Sequence, residues 1–417
     1  MTKEIITKKE KKILLENFFS LSTLQGFNYI LPLVILPYLI RVIGPEKFGL
    51  IAFAQAFVQY FMILTDYGFS VTATREISLC QGHKAKTCAV FSSVMTVKFI
   101  IAGICCVIMA LLVQFVPRFR ADHLVYIFSF GAVIGNTLFP VWFFQGTEKM
   151  KYITIINAIF GTIYTISIFI FVRNQAHYLM LPLLTSLFSI ATGVYGLFIA
   201  FRRFELSFVI QPYHTIRQQL KTGWNIFISI VAINAYTTTR IFAIGLLTNN
   251  TITGFYSIAE RIANFFQTFP LTSLSQALYP RINRIFAKNR QRAIRLMNKI
   301  QITTTLYYLI AIPLIYIACP LIVRLVCSAP YPEVAISLRL LLISVFFVCA
   351  NSFRVQFLLV CGRSDLYSKL HITAALAGLP LIFILIHYLS YQGAAVSTII
   401  IEGMVLLLTA EIITELT

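Results

Sequence analysis

Apolar residues run through this chain in stretches of about 20, the length a helix needs to cross a hydrocarbon core of roughly 30 Å, and short polar breaks separate them. From the N-terminus the stretches cover residues 18–41, 49–67, 88–116, 124–145, 152–172, 178–200, 223–247, 254–279, 300–326, 338–360, 370–390 and 394–414. Helices satisfy their own backbone hydrogen bonds inside a bilayer, and open strands do not. The pattern predicts an all-α polytopic membrane protein with twelve transmembrane helices. An even number of spans places both termini on one side.

Composition agrees with the pattern. The 417 residues are 58% hydrophobic and 12% charged, with a mean hydropathy of +0.82, whereas soluble domains carry about 25% charged residues. A formal net charge of +19 in a soluble protein would suggest nucleic acid, so its distribution along the chain decides its meaning. On the twelve-span topology 23 of the 34 Lys and Arg residues fall in segments on the side of the termini, five in the opposite loops and six within spans. The positive-inside rule then makes both termini cytoplasmic, and no nucleic-acid partner is implied. The basic start, Lys3 to Lys12, precedes an apolar run without a small-residue cleavage pattern, which predicts an uncleaved first span. Eight scattered cysteines lack metal spacing or a paired extracellular framework, so neither a zinc site nor a disulfide is expected, and no cofactor is called for.

The two longest non-apolar stretches are Phe201 to Thr222 and Arg281 to Lys299. The first divides the chain into an N-terminal six-helix bundle (1–205), a cytoplasmic linker (206–222) and a C-terminal six-helix bundle (223–417). The second, RINRIFAKNRQRAIRLMNK, reads either as a topology signal or as an amphipathic helix on the anionic inner leaflet. FGLIAFAQAFVQYF (Phe48 to Phe61) aligns without gaps on TGFYSIAERIANFF (Thr253 to Phe266), placing Gly49 on Gly254 and Gln55 on Glu260. Farther along, Asn136-Thr137 matches Asn351-Ser352. Halves with an even number of spans share one orientation, so the expected relation is a pseudo-two-fold axis along the membrane normal.

A charge at mid-bilayer costs at least about 2.5–3.5 kcal/mol, so such residues face a protein interior or a wet cavity. Lys98 and Glu402 lie near the midplane of their spans. Arg240, Glu260 and Arg261 share a depth of roughly 10 Å below the outer surface, counted at about 1.5 Å per residue. An Arg240–Glu260 ion pair that joins two helices and a functional role are both open. Arg354 lies toward the cytoplasmic third of its span. Lys98, Arg240, Arg261 and Arg354 are the candidate substrate-binding cations, suited to a phosphate or pyrophosphate. Glu402 and Asp66 are candidate proton carriers, with ion pairing or a solvated helix end as the plainer reading. Pro32 and Pro37 should bend the first span, a candidate hinge. No GxxxxGK[ST] sequence occurs, so ATP hydrolysis by that route is not expected.

The run ENFFSLSTLQGFNYILPLVILPYLIRVIGPEKFGLIAFAQAF (Glu16 to Phe57), followed by TDYGFSVTATREIS (Thr65 to Ser78), resembles the opening of Wzx-type O-antigen flippases. These form part of the polysaccharide-transporter branch of the multidrug/oligosaccharidyl-lipid/polysaccharide exporter superfamily. WFFQGTEKM (Trp142 to Met150), ALYPR (Ala277 to Arg281) and CGRSDLYS (Cys361 to Ser368) look like further landmarks in the same order. The resemblance implies two six-helix bundles around a central cavity and no enzymatic activity. It implies alternating-access transport of undecaprenyl-pyrophosphate-linked O-antigen repeat units to the outer leaflet of the bacterial inner membrane, for lipopolysaccharide biosynthesis. Flippases for the enterobacterial common antigen or a capsule unit are similar enough that the motifs do not separate them. Membrane lipids, an O-antigen polymerase and a chain-length regulator are the implied partners. Ion-coupled antiport is implied as well, which adds Glu260 to the coupling candidates Glu402 and Asp66. Within the motif, Gly44-Pro45 should make a tight turn, and Asp66, Arg75 and Glu76 should cluster at the inner face as a gate or a scaffold.

Two rivals are weaker. A polymerase or membrane glycosyltransferase usually needs a sizeable outer loop, and the longest here, Cys327 to Ser337, has about a dozen residues. A multidrug exporter would want an acidic pocket, whereas embedded bases outnumber embedded acids in this chain.

Overall fold

A computed structural model describes residues 8–80, 82–209 and 211–416; side chains are described from Leu31 onward, apart from 269–270, 272–273, 276–281, 283–284, 287–288, 364 and 415–416. Lys3, the side chains of Lys8, Lys9, Lys11 and Lys12, and the ALYPR side chains therefore lie outside the described residues. In chain order the helices are α1 (Lys8–Asp66), α2 (Phe69–Leu79), α3 (Lys84–Phe115), α4 (Pro117–Ala121), α5 (His123–Leu138), α6 (Val141–Gly146) and α7 (Lys151–Phe171). They continue with α8 (Met180–Phe204), α9 (Tyr213–Thr237), α10 (Thr239–Leu247), α11 (Asn250–Lys288), α12 (Arg290–Cys327), α13 (Pro332–Val360) and α14 (Ser364–Leu416).

Helices α1 and α14 are each two spans run together, leaving helical geometry at Gly44 (φ 74°, ψ 166°) and Ser390 (φ 54°, ψ −133°). Two other spans are broken: α5 and α6 are separated at Phe139-Pro140, and α9 meets α10 at Thr238 with a bend of 47°. Counted this way, every one of the twelve predicted spans has its helix. The Gly44-Pro45 turn forms as expected. Glycine takes the positive φ, and proline opens the next helix, where its missing N–H is no loss. The backbone stays helical through Pro32 and Pro37.

Helices α11 and α12 have 39 and 38 residues, about 57–58 Å each at 1.5 Å per residue, well beyond a hydrocarbon core of roughly 30 Å. The basic stretch Arg281–Lys299 is thus the continuation of two spans. No separate surface helix is present there. Asn289 joins them, its side chain accepting from the Arg292 N–H as an N-cap. Ile282, Ala293 and Met297 bury against Phe357, Leu358 and Ile413, which holds the extension to α13 and α14.

The helices group into two compact units that do not follow the linear halves. One contains the described residues up to Leu31 together with Phe57–Ile230; the other contains Pro32–Ala56 and the chain from Val231 onward. Helix α1 thus leaves the first unit at Pro32 and re-enters it at Phe57, and α9 changes unit after Ile230.

The first unit is built around Trp142, Phe143 and Phe144, packed with Phe69, Phe91, Ile77 and Ile153, which gives the WFFQG run its physical reason. Its tie to the 206–222 segment is local. The Val209 N–H donates to Ser92 Oγ at 2.9 Å, and the Ser207 N–H to Cys88 Sγ at 3.4 Å. Lys84 Nζ lies 2.6 Å from Glu205 Oε2 and holds that exposed carboxyl below its usual range. This link is complete at neutral pH and is lost as the pH falls through the lowered value. Farther on, Phe227 stacks on Tyr67 with ring centroids 4.6 Å apart, so the start of α9 belongs with the first unit.

Candidate functional site

Of the residues singled out in sequence, Lys98, Asp66, Arg75 and Glu76 lie in the first unit, and Arg240, Glu260, Arg261, Arg354 and Glu402 in the second. Lys98 is 2% exposed, and its Nζ donates to the Asn136 carbonyl at 3.3 Å. The reason is four residues ahead of Asn136. That carbonyl would ordinarily accept from residue 140, and Pro140 has no N–H. The ammonium of α3 therefore serves a carbonyl that the break in α5 leaves open. Substituting Lys98 by Met is expected to lower stability by about 1–3 kcal/mol, the cost of an orphaned buried carbonyl. Gln, which keeps a donor, should recover part of it. Thermal unfolding of the purified variants measures the difference, and equal melting of Met and Gln variants would contradict this role.

The second unit repeats the arrangement with different chemistry. Gln301 of α12, also 2% exposed, donates from Nε2 to the Cys349 carbonyl at 3.2 Å and accepts from the Phe353 N–H at 3.2 Å. Those two backbone groups stand one helical turn apart in α13 and flank Asn351, the residue matched to Asn136. Asn351 Nδ2 in turn donates to Thr409 Oγ1 at 3.1 Å.

The expected network at Asp66, Arg75 and Glu76 does not form as ion pairs among the described residues. Asp66 accepts from Ser70 Oγ at 2.9 Å, Glu76 accepts from Gln219 Nε2 at 2.6 Å, and Arg75 is exposed. Side chains at 75 and 76 point about 100° apart on α2, so one partner cannot serve both.

Depth arithmetic brought Arg240 and Glu260 to one level, and the structure joins them: Nη2 lies 3.1 Å from Oε1, with both side chains 11% exposed. Arg240 Nη1 also donates to Thr398 Oγ1 of α14 at 3.0 Å. Arg240 thereby ties α10, α11 and α14 together. Glu402, one turn along from Thr398, is half-buried and sits within electrostatic reach of Arg240 and Tyr236. The Tyr236 hydroxyl pairs with His371 Nδ1 at 2.9 Å, and the ring of Tyr367 packs edge-on against His371 at 4.5 Å. Neither His371 nor Tyr236 was singled out in sequence, because a lone His among apolar residues carries no spacing signal.

Arg261 faces a different direction from Glu260. Its Nη2 donates to Gln55 Oε1 at 2.9 Å, and its guanidinium lies 5.1 Å from the centre of the Phe48 ring. Gln55 is the residue that the internal alignment set on Glu260, so the repeat already pointed to it. Arg354, half-buried on α13, has no hydrogen-bond or ion-pair partner among the described residues.

The same alignment appears in space as a reciprocal contact. A methyl group on Gly49 would lie 1.8 Å from the Asn250 carbonyl oxygen, and one on Gly254 would lie 2.0 Å from the Pro45 carbonyl oxygen. Position 45 corresponds to 250 and position 49 to 254 under one constant offset. The two aligned segments therefore meet through equivalent residues, like the faces of a symmetric interface. Nearby, Phe53 stacks on Phe242 at 5.3 Å, and Arg41 donates to the Ser328 hydroxyl.

Comparison with known proteins bears on this architecture. The family model described as "Polysaccharide biosynthesis protein" matches residues 14–286. A relative from Escherichia coli (strain K12), named "Putative O-antigen transporter", is 30% identical over 398 residues, covering 95% of each chain. One of the same name from Shigella dysenteriae is 22% identical over 399 residues, covering 94% of this chain and 98% of its own. Among solved structures, an inward-facing multidrug resistance MATE family transporter of the MOP superfamily superposes with a TM-score of 0.74 at 14% identity, covering 95% of this chain and 98% of that one. A MOP superfamily transporter from Pyrococcus furiosus, described as having a binding pocket of reverse polarity, gives 0.64 at 12% identity, covering 97% and 96%. The structural likeness extends over nearly the whole chain and establishes the fold as that of these transporters. The sequence match goes further: this chain belongs to the polysaccharide biosynthesis protein family.

Proposed function

We propose that this protein is a flippase for a lipid-linked oligosaccharide, and that its load is an undecaprenyl-pyrophosphate-linked O-antigen repeat unit. The observation that carries the reading is the 30% identity to a named O-antigen transporter over 95% of both chains. The physical problem such a protein solves is clear, since a sugar-pyrophosphate head cannot cross hydrocarbon without losing its hydration. Movement is from the cytoplasmic to the periplasmic leaflet of the inner membrane, with both termini cytoplasmic, and it feeds lipopolysaccharide assembly. Arg261 and Arg354 are the cations offered to the pyrophosphate; Arg240 acts indirectly through Glu260, and Lys98 through the Asn136 carbonyl of its own unit. Glu402 and Asp66 carry the coupling ion. Transport is by alternating access, with the inner-face residues Arg75 and Glu76 and the prolines Pro32 and Pro37 at moving points.

The test is complementation. In a strain lacking its own O-antigen flippase, this chain should restore the surface polysaccharide, and Arg354→Ala should reduce it severalfold at equal protein level in the membrane. Absence of restored polysaccharide from a well-inserted wild-type chain, in strains lacking O-antigen, common-antigen or capsule flippases alike, would overturn the reading. Reporter fusions at both ends, active on one side only, decide the orientation.

A further inference from the structure

Four observations meet at the segment Pro32–Ala56. It is continuous in the chain with the first unit yet packs as part of the second. Its contact with α11 is backbone on backbone at Gly49 and Gly254, with no room for a side chain on either. Arg261 reaches across that seam to Gln55 and Phe48. Those two residues are seven apart on one helix and so present the same face. Finally, the carboxylate beside Arg261 in sequence, Glu260, is ion-paired with Arg240.

The contacts of Arg261 with Gln55 and Phe48 are to uncharged groups, an amide oxygen and a ring face. A guanidinium carries five N–H donors in a planar fork, which fits a phosphate bidentately. Hydrogen bonds to an anionic oxygen are roughly twice as strong as those to a neutral one, and a cation–π contact at a partly exposed site is weaker than either. An anionic head that reaches Arg261 therefore offers it better partners than Gln55 and Phe48 do. The close approach to α11 is otherwise made by two glycines, so Arg261 supplies a directional contact across that seam.

We propose that Arg261 is a latch: it fastens the segment 32–56 to α11 through Gln55 and Phe48, and a pyrophosphate group takes it over and thereby releases the segment. The proposal rests on the flippase reading and adds how binding of the head is converted into movement. Gln55 becomes a specificity residue, because the strength of the acceptor it offers sets how anionic a ligand must be to displace it.

Hydrogen–deuterium exchange of residues 41–56 in the purified full-length protein tests this, with inorganic pyrophosphate as probe and sulfate at matched ionic strength as control. Pyrophosphate should raise exchange in that segment at least threefold, and sulfate should do much less. In Arg261→Gln the response should vanish. In Gln55→Leu, exchange should already be high without ligand. Gln55→Glu, which replaces a neutral acceptor by a charged one, should need about tenfold more pyrophosphate for the same effect. Pyrophosphate that binds by calorimetry yet leaves exchange in residues 41–56 unchanged or slower overturns the latch, and restored surface polysaccharide would then leave the flippase reading standing. Failure of both pyrophosphate binding and complementation would overturn both.

Discussion

Gly49→Ala is expected to be among the most damaging single-methyl additions possible in this chain. The new carbon would stand 1.8 Å from the Asn250 carbonyl oxygen and 2.5 Å from the Gly254 nitrogen, and both are backbone atoms of a helix that cannot swing aside. Ordinary contact requires a separation larger by well over an ångström, so the segment 32–56 and α11 must part along their length. Overpacking of this kind costs about 1–3 kcal/mol and sometimes more, and the upper end is expected where no side chain can yield. Gly254→Ala should cost a similar amount, and the double substitution should cost clearly less than the sum, because either methyl alone opens the same reciprocal seam. Gly103 supplies the control. Nothing lies within 4 Å of a methyl there, so Gly103→Ala should leave melting unchanged or raise stability by up to about 1 kcal/mol through helix propensity. Melting curves in detergent for the four variants decide the matter. A Gly49→Ala protein as stable as Gly103→Ala would mean that the seam is not closed as described.

The second large effect is expected at the Arg240–Glu260 pair. Each side chain is 11% exposed, so removal of one leaves the other charged and enclosed. Arg240→Met or Glu260→Leu alone should cost about 3–5 kcal/mol, whereas the double substitution should return most of that loss, since an apolar pair of similar volume is often tolerated as well as the ions. The pair is thus expected to matter through the penalty for breaking it. The loss in Arg240→Met should exceed that in Glu260→Leu by the hydrogen bond to Thr398, about 1 kcal/mol. A double-mutant cycle on thermal or denaturant unfolding gives the coupling directly, and additive single effects would show that the two residues do not act as a pair.

These two sites also show what the sequence could and could not disclose. Hydropathy alone revealed the spans, because a bilayer leaves a long apolar helix few alternatives, and Gly44-Pro45 announced its own turn. Counting residues along antiparallel neighbours was enough to bring Arg240 to the level of Glu260. The constant offset between the segments at 48 and 253 was legible too, although nothing in a string of letters says that the two copies touch each other at equivalent glycines. What stayed hidden depends on contacts across distant elements. Pro140 was visible as a helix breaker, yet the need it creates is met by Lys98, 42 positions earlier. Asp66, Arg75 and Glu76 looked like a salt-bridge cluster because they are close in sequence and opposite in charge. Helical geometry gives neighbouring residues different neighbours, and Ser70 and Gln219 claimed the carboxylates instead.

The placement of residues 32–56 also sets a schedule for making the protein. This segment leaves the ribosome well before its partner, since the helix it packs against begins at Asn250, about 190 residues after Ala56. At roughly 5–20 residues per second that is a delay of about 10–40 s. During that interval the glycine face and Gln55 have only lipid and half-made helices for company. The nascent chain must therefore carry an unfinished surface while about 190 further residues are added, and a product that ends before Asn250 never acquires the partner that covers it.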